Sequence, residues 1–164
     1  IAVGFWNVVG AGLLGFSINT PIALYYMQGL NMTAAHGHAA LFGVYGMLGI
    51  GLILFCMRGL TDPARWNNKL LAISFWCLNV GLAMMVFLSL FPQGLWQAYL
   101  SFTHDYAYAR SAEVIHGPVM ETLVWARVPG DIVFGIGAFA SAIFVAQAFW
   151  STRKARTVSL DPVN

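Results

Sequence analysis

Charged side chains are scarce in this chain. Asp, Glu, Lys and Arg make up 9% of the 164 residues, hydrophobic residues make up 59%, and no charged residue precedes Arg58. A soluble domain has about 25% charged residues, whereas a bilayer-spanning helix needs about 20 consecutive apolar ones. Helices also satisfy every backbone polar group within lipid. The composition therefore predicts an all-α integral membrane protein, a polytopic transmembrane helix bundle.

Cysteine is also scarce, and no targeting segment can be recognised. Cys56 and Cys77 lie inside apolar runs and form no CxxC pair. This predicts two buried, reduced thiols rather than a disulfide or a metal site. The chain opens at Ile1 on apolar residues, without the pattern of a cleavable signal. We therefore expect it to be part of a longer protein, with a further segment N-terminal to it.

The apolar runs predict four spans, at residues 5–27, 34–57, 70–91 and 119–150. Pro21 should kink the first span because it removes a backbone hydrogen bond. Asn31 or Thr33 is expected to cap the second. Residues 92–118 carry several Trp and Tyr residues, which favour the membrane interface, and are predicted to form an outer interfacial segment. Residues 151–164 are predicted to be a cytoplasmic tail. All four spans are assigned to one partial transmembrane domain.

The positive charges predict the orientation. Six of the eight lie at Arg58, Arg65 and Lys69 and after Trp150, whereas Arg110 and Arg127 lie between the third span and the charge-free core of the fourth, where four acidic residues outnumber them. Loops rich in Lys and Arg stay on the cytoplasmic side, so the two cation-rich segments are expected inside, and the start of the second span outside. Because the cations lie beside the spans, the net charge of +2 gives no reason to expect a nucleic-acid partner.

Two histidines lie near the predicted outer end of the second span. A helix turns about 100° and rises about 1.5 Å per residue, so His36 and His38 should point about 200° apart at heights that differ by roughly 3 Å. Residues at i and i+2 do not share a helix face. An unbroken helix therefore cannot use both to chelate one metal, but each can bind a different partner.

The two histidine faces also differ in bulk. Small residues follow His36 at helical spacing, namely Ala39, Ala40 and Gly43, whereas bulky residues follow His38, namely Leu41, Phe42 and Tyr45. A flat macrocycle with a histidine nitrogen as axial ligand could lie against either face. The alternative is that both imidazoles form hydrogen bonds within the bundle. Histidine inside a membrane is costly and usually functional, which favours ligands.

Several segments together resemble one family. Residues 36–52, HGHAALFGVYGMLGIGL, look like the tenth core helix of the haem–copper oxidase superfamily, and more closely its nitric oxide reductase branch. Residues 5–21, FWNVVGAGLLGFSINTP, fit the same branch, as do YARSAE at 108–113 and WARVPGD at 125–131. The resemblance covers nearly the whole chain, but only the last four helices of a protein several times longer.

The resemblance implies roles for both histidines and for two cofactor types. His36 is similar to the axial ligand of the high-spin haem, where substrate reacts, and His38 to one ligand of the low-spin haem, which supplies electrons. The implied cofactors are two b-type haems and a non-haem iron. The ligands of the non-haem iron lie on earlier helices of the family and match nothing in this sequence. His104 and His116 are interpreted as loop histidines.

The implied reaction converts two nitric oxide molecules, two electrons and two protons into nitrous oxide and water. Residues 92–131 look more like the quinol-dependent form, in which Asp131 would contact quinol. Asp131 could instead complement a helix dipole. Arg127 is expected to bind a haem propionate, or else to form a surface ion pair with Asp131, Glu121 or Glu113.

Other functions stay open at this point. Within enzymes they are the catalytic subunit of a cytochrome c-dependent nitric oxide reductase and, more distantly, an oxygen-reducing terminal oxidase. From other classes they are a non-catalytic haem-carrying membrane anchor and a proton-relaying transporter. The expected location is a bacterial cytoplasmic membrane, and a homodimer is compatible with the sequence.

Overall fold

The computed structural model describes the backbone of residues 1–160 and the side chains of residues 1–153. The helices in this part of the chain are α1 (Ala2–Asn19), α2 (Pro21–Met27), α3 (Asn31–Leu60), α4 (Asn68–Thr103), α5 (Ala112–Ile115), α6 (Pro118–Trp125) and α7 (Val128–Leu160). Short 3₁₀ turns lie at Pro63–Arg65 and Tyr108–Arg110. The described residues contain no strand. The predicted all-α class is confirmed.

Four stretches are long and apolar enough to cross a membrane: Ala2–Asn19, Asn31–Leu60, Asn68–Thr103 and Pro118–Arg153. The last of these joins α6 and α7 across a turn at residues 126–127. At 1.5 Å per residue, the shortest is about 27 Å long and the longest about 54 Å, compared with a hydrocarbon core of about 30 Å. The described part of the chain thus has four helices long and apolar enough to be the spans that the sequence predicts.

Several helix boundaries differ from the predicted ones. The first span is broken at Thr20, which is extended (φ −63°, ψ 140°), because a proline disfavours helical backbone in the residue before it. The third helix continues through much of the predicted interfacial segment to Thr103. It tolerates Pro92 directly after a π-helical turn at Met85–Leu90, where the hydrogen-bonding ladder is already altered. At the other end, α7 reaches Leu160, and residues 161–164 of the predicted tail lie outside the described residues.

Helices α1 and α3 pack antiparallel through small residues. A Cβ at Gly10 would lie 2.6 Å from the Cβ of Ala39, and a Cβ at Gly43 would lie 2.5 Å from Cγ of Trp6. Trp6 is 1% exposed and donates its indole N–H to Oδ1 of Asn79 at 3.0 Å. The Trp6 side chain therefore fills the notch at Gly43 and connects α1 and α3 to α4.

Helices α4 and α7 form the most extensive helix pair. A Cβ at Gly81 would lie 2.5 Å from the backbone nitrogen of Phe134. Further along the same antiparallel interface, the hydroxyls of Ser74 and Ser141 are hydrogen-bonded to each other. The backbones approach closely where glycine removes bulk, which is a common way for helices to pack in lipid.

Two contacts show which segments lie together at each end of the bundle. The backbone N–H of Asp62 donates to Oγ1 of Thr152 at 3.3 Å, so the loop after α3 and the end of α7 lie at the same end. His38 and Arg127 meet at the opposite end. This arrangement agrees with the topology predicted from the cations. The side that faces the cytoplasm remains a prediction.

Candidate haem-binding site

His36 faces α1. Its Nδ1 lies 2.9 Å from the carbonyl oxygen of Gly10, and its ring is half-buried. A Cβ at Gly15 would lie only 2.9 Å from Cε1 of the imidazole. The sequence of α1 thus provides both a hydrogen-bond acceptor and the space for this ring.

His38 faces away from α1. Its Nδ1 lies 2.9 Å from the carbonyl oxygen of Ala34, one turn earlier in the same helix. Its Nε2 lies 3.4 Å from an Nη atom of Arg127, in the turn between α6 and α7. The two histidines therefore contact different neighbours, as the 200° separation predicts, although the helix becomes π-helical from His38 to Gly46.

The hydrogen-bond partners determine the tautomers of both rings. A carbonyl oxygen only accepts, so the Nδ1 atoms of His36 and His38 each carry a proton toward it. In a neutral imidazole the lone pair is then on Nε2. For His38 this assignment has independent support, because the guanidinium of Arg127 only donates and requires an acceptor at Nε2. Holding Nδ1–H on a carbonyl is also how proteins orient a metal-binding histidine.

Arg127 contacts an acidic residue as well as His38. Its Nε donates to Oδ1 of Asp131 at 3.0 Å, and the two side chains are 35% and 47% exposed. The predicted alternative of an ion pair with Asp131 and the predicted placement near a haem ligand are therefore both compatible with the contacts of Arg127. Neither contact tests propionate binding or quinol binding, which remain predictions.

The small and bulky side chains that follow the two histidines differ in burial. The small side chains that follow His36 are buried against α1, with Ala39 0% exposed. The bulky ones that follow His38 include Leu41 and Tyr45, which are 66% and 67% exposed. The small-residue face therefore holds a neighbouring helix, whereas on the His38 face Phe42 packs against Phe134 and only Leu41 and Tyr45 stay exposed.

The other potential metal ligands among the described residues do not cluster. Among the described side chains, no group of three or more His, Cys, Asp and Glu residues could hold a metal ion. His104 stacks on Tyr108 at a ring separation of 4.8 Å. Cys56 and Cys77 are free thiols, but Cys77 is only half-buried and Cys56 is exposed, so the prediction of two buried thiols is wrong, most clearly for Cys56. It lies on an apolar helix face that the described bundle leaves uncovered.

A buried polar network was not predicted. Ser89, Gln93, Gln97 and Ser101 recur every four residues along α4 and are at most 5% exposed. The first three are hydrogen-bonded to one another or to other helices, whereas the hydroxyl of Ser101 has no partner among the described residues. Gln97 accepts a hydrogen bond from the backbone N–H of Asn31 at 2.9 Å. The spacing of four in an otherwise apolar helix is a sequence signal that would have revealed one polar face on this helix.

The donor set fits two haems, with one axial histidine ligand for each. Each histidine offers an Nε2 lone pair and holds Nδ1–H on a carbonyl, and imidazole is a common axial ligand of haem iron. Arg127, beside His38, supplies a cation suited to a carboxylate such as a haem propionate. The described residues would thus contribute one ligand to each of two haems and no ligand set for a separate iron.

Comparison with known proteins identifies the class. Residues 1–133 match the family described as cytochrome c and quinol oxidase polypeptide I. This match covers more than half of the chain, so the chain belongs to that family of membrane-embedded helical oxidoreductase subunits, within the haem–copper oxidase superfamily. Proteins of this family typically bind haem.

One relative belongs to the nitric oxide reductases. Over 86 residues the chain is 34% identical to a nitric oxide reductase subunit from Stutzerimonas stutzeri. The aligned region is 49% of this chain and 18% of that protein. The predicted superfamily is therefore confirmed, and the chain is similar to a nitric oxide reductase subunit over part of its length.

Proposed function

We propose that the chain is part of the catalytic subunit of a respiratory nitric oxide reductase in a bacterial cytoplasmic membrane. The observation that carries this proposal is the arrangement of His36 and His38. The two imidazoles lie on one helix and face different neighbours, and each holds its Nδ1–H on a carbonyl at 2.9 Å. The similarity to the nitric oxide reductase subunit of Stutzerimonas stutzeri favours nitric oxide over oxygen as substrate.

In this proposal His36 binds the high-spin haem and His38 the low-spin haem. The cofactors are two b-type haems and a non-haem iron, whose ligands belong to the rest of the protein. When bound, these groups would carry electrons from the donor and provide the iron atoms that bind substrate. Overall, two nitric oxide molecules, two electrons and two protons yield nitrous oxide and water: one N–N bond forms, one N–O bond breaks, and the released oxygen takes both protons to become water.

The residues of this chain hold and orient these groups. Gly10 and Ala34 keep each imidazole in the tautomer with an unprotonated Nε2. At His38 this Nε2 accepts from Arg127 at 3.4 Å, so the guanidinium would have to move aside for the haem iron. Arg127 places a cation beside His38, where it can bind a haem propionate. The described apolar helices exclude water from the membrane-buried part of the site, which strengthens these electrostatic interactions.

We favour quinol as the electron donor, with Asp131 as its partner. Asp131 is half-exposed at the start of α7 and contacts Arg127 at 3.0 Å, and Arg127 contacts His38 at 3.4 Å. A quinol bound at Asp131 would thus be separated from His38, the proposed ligand of the low-spin haem, by the guanidinium group of Arg127. The carboxylate of Asp131 could accept the quinol hydroxyl proton. The alternative is a cytochrome c-dependent nitric oxide reductase, for which Asp131 would only pair with Arg127.

Spectroscopy and turnover of the purified full-length protein test the proposal. We expect two b-type haems per chain, one high-spin and one low-spin, non-haem iron, and conversion of nitric oxide to nitrous oxide with a quinol donor. Turnover with reduced cytochrome c alone would favour the alternative donor. Reduction of oxygen in place of nitric oxide would indicate a terminal oxidase, low-spin haem alone would indicate a membrane anchor, and a colourless protein would indicate a transporter.

A further inference from the structure

A chain of hydrogen bonds crosses the bundle at its histidine-bearing end. Asn31 Nδ2 donates to Oε1 of Gln93 at 2.9 Å, and Gln93 Nε2 donates to Oγ of Ser89 at 2.8 Å. The Ser89 hydroxyl then donates to the carbonyl oxygen of Leu123 at 2.8 Å. Each donor in this series of hydrogen bonds has one acceptor, so the orientation of the Gln93 amide is determined. This series of hydrogen bonds joins α3 to α6 through α4.

Gln97 adds a second connection from the same face of α4. Its Oε1 accepts the backbone N–H of Asn31 at 2.9 Å, and its Nε2 donates to the carbonyl oxygen of Ala109 at 3.3 Å. The first turn of α3 has no side-chain cap of its own at Leu30, and helix N-termini require partners for their free N–H groups. Gln97 therefore caps α3 from a different helix.

The two segments that this network joins lead directly to the proposed site. Asn31 precedes His38 by seven residues, or about 10 Å along a helix, and Leu123 precedes Arg127 by about one turn. His38 and Arg127 meet across the bundle at 3.4 Å. The network therefore holds, through α4, both segments whose spacing determines this contact.

The burial of the network makes its geometry rigid. Ser89 is fully buried, and Gln93 and Gln97 are each 5% exposed. A buried amide that loses its partner has no water to replace it, so partly broken buried networks are strongly disfavoured. Apolar contacts alone would let neighbouring helices slide with less penalty. Directional bonds at both ends of the Gln93 amide fix the axial position of α3 against α4.

We propose that Ser89, Gln93 and Gln97 are positioning residues that set the spacing between the helix that carries the histidines and the turn that carries Arg127. The role for the haems rests on the proposed function, whereas the role in spacing does not. In the full-length protein, the network would keep the Arg127 cation beside the low-spin haem. Loosening it would move the cation away and lower the midpoint potential of that haem, since a nearby positive charge favours the reduced form.

The spacing is measured directly by pulsed electron–electron double resonance between two spin labels. Thr33 in α3 and Glu121 in α6 are exposed and can carry the labels after replacement by Cys, in a background in which the other cysteines are replaced. We expect one narrow distance distribution in the parent protein. Gln93→Leu should broaden or shift it. Gln147→Leu, in an exposed position on α7, should not.

Ser89→Ala provides a second variant that changes little volume and removes the bond to Leu123. It should also broaden the distribution, so the test does not depend on Gln93→Leu folding. A distribution unchanged in Ser89→Ala would overturn the proposal. So would an unchanged distribution in a folded Gln93→Leu protein.

A redox titration of the low-spin haem distinguishes this proposal from the proposed function. We expect both variants to keep the haem and to lower its midpoint potential, but to cause no further decrease in an Arg127→Leu background, because both effects act through the position of Arg127. A fully additive decrease would overturn the route through Arg127. Absence of haem from the parent protein would contradict the proposed function, while the spin-label distances would still decide the spacing role.

Discussion

Gly15→Ala is expected to disturb the proposed high-spin haem without disturbing the low-spin haem. The added Cβ would lie 2.9 Å from Cε1 of His36 and 3.4 Å from its Nδ1. Carbon atoms in favourable contact are about 3.5–4.0 Å apart, so the ring must move by roughly 0.6 Å or more. That movement is opposed by the bond from Nδ1 to the carbonyl of Gly10, at 2.9 Å.

The size of the effect follows from these two constraints. A lost hydrogen bond costs about 0.5–1.5 kcal/mol, and a side chain pushed about 30° off its rotamer costs a similar amount. Together they reach about 1–3 kcal/mol, which lowers the affinity of His36 for haem by roughly 5- to 150-fold. Within a helix, Ala otherwise stabilises by about 0.8–1 kcal/mol relative to Gly. A loss at Gly15 therefore has to come from the contact with His36.

Haem content and carbon monoxide difference spectra of the full-length protein measure the effect. Gly4→Ala is the matched control, because a Cβ at Gly4 in the same helix would meet nothing within 4 Å. We expect Gly15→Ala to lose carbon monoxide-reactive haem and to keep the low-spin bands, while Gly4→Ala keeps both. A Gly15→Ala protein with a full, unshifted high-spin signal would refute the assignment of His36 as a constrained ligand.

Three further predictions concern the charged residues. Arg127→Leu removes a cation whose interaction with the low-spin haem is worth on the order of 1–2 kcal/mol, so the midpoint potential of that haem should fall by roughly 40–80 mV. An unchanged midpoint potential would mean that Arg127 pairs with Asp131 and does not act on the haem. Asp131→Ala should impair turnover with quinol while chemically pre-reduced enzyme still reacts with nitric oxide; equal impairment of both would exclude the quinol role. Tags in the loop at 61–67 should report the cytoplasm and a tag near His104 the outside, and the reverse labelling would overturn the orientation.

The bundle and the divergence of the two histidines could be predicted from the sequence. The charge-free runs define the spans because a charged side chain is costly in lipid, and helical geometry alone separates His36 from His38. The small residues that follow His36 left room for a flat macrocycle, but the structure fills that face with α1. The first two predictions succeed because they depend on local chain geometry and on the membrane as solvent.

The polar contacts between helices could not be predicted in the same way. Neither Asn31 nor Thr33 caps α3 with its own side chain; Leu30 is the N-cap residue, and Gln97 supplies the cap from 66 residues away. The contact between Arg127 and His38 likewise joins residues 89 positions apart. Such pairings depend on how helices dock, which the composition of either helix alone does not determine.

The central claim is that each histidine holds its own haem, and the spectra of two single variants of the full-length protein test it most directly. His36→Ala should lose the carbon monoxide-reactive high-spin haem and keep most of the low-spin absorption. His38→Ala should do the opposite, and both variants should lose nitric oxide turnover. Loss of both haem signals from either single change in a folded protein, or retention of both signals, would contradict the assignment of one ligand to each face of the helix.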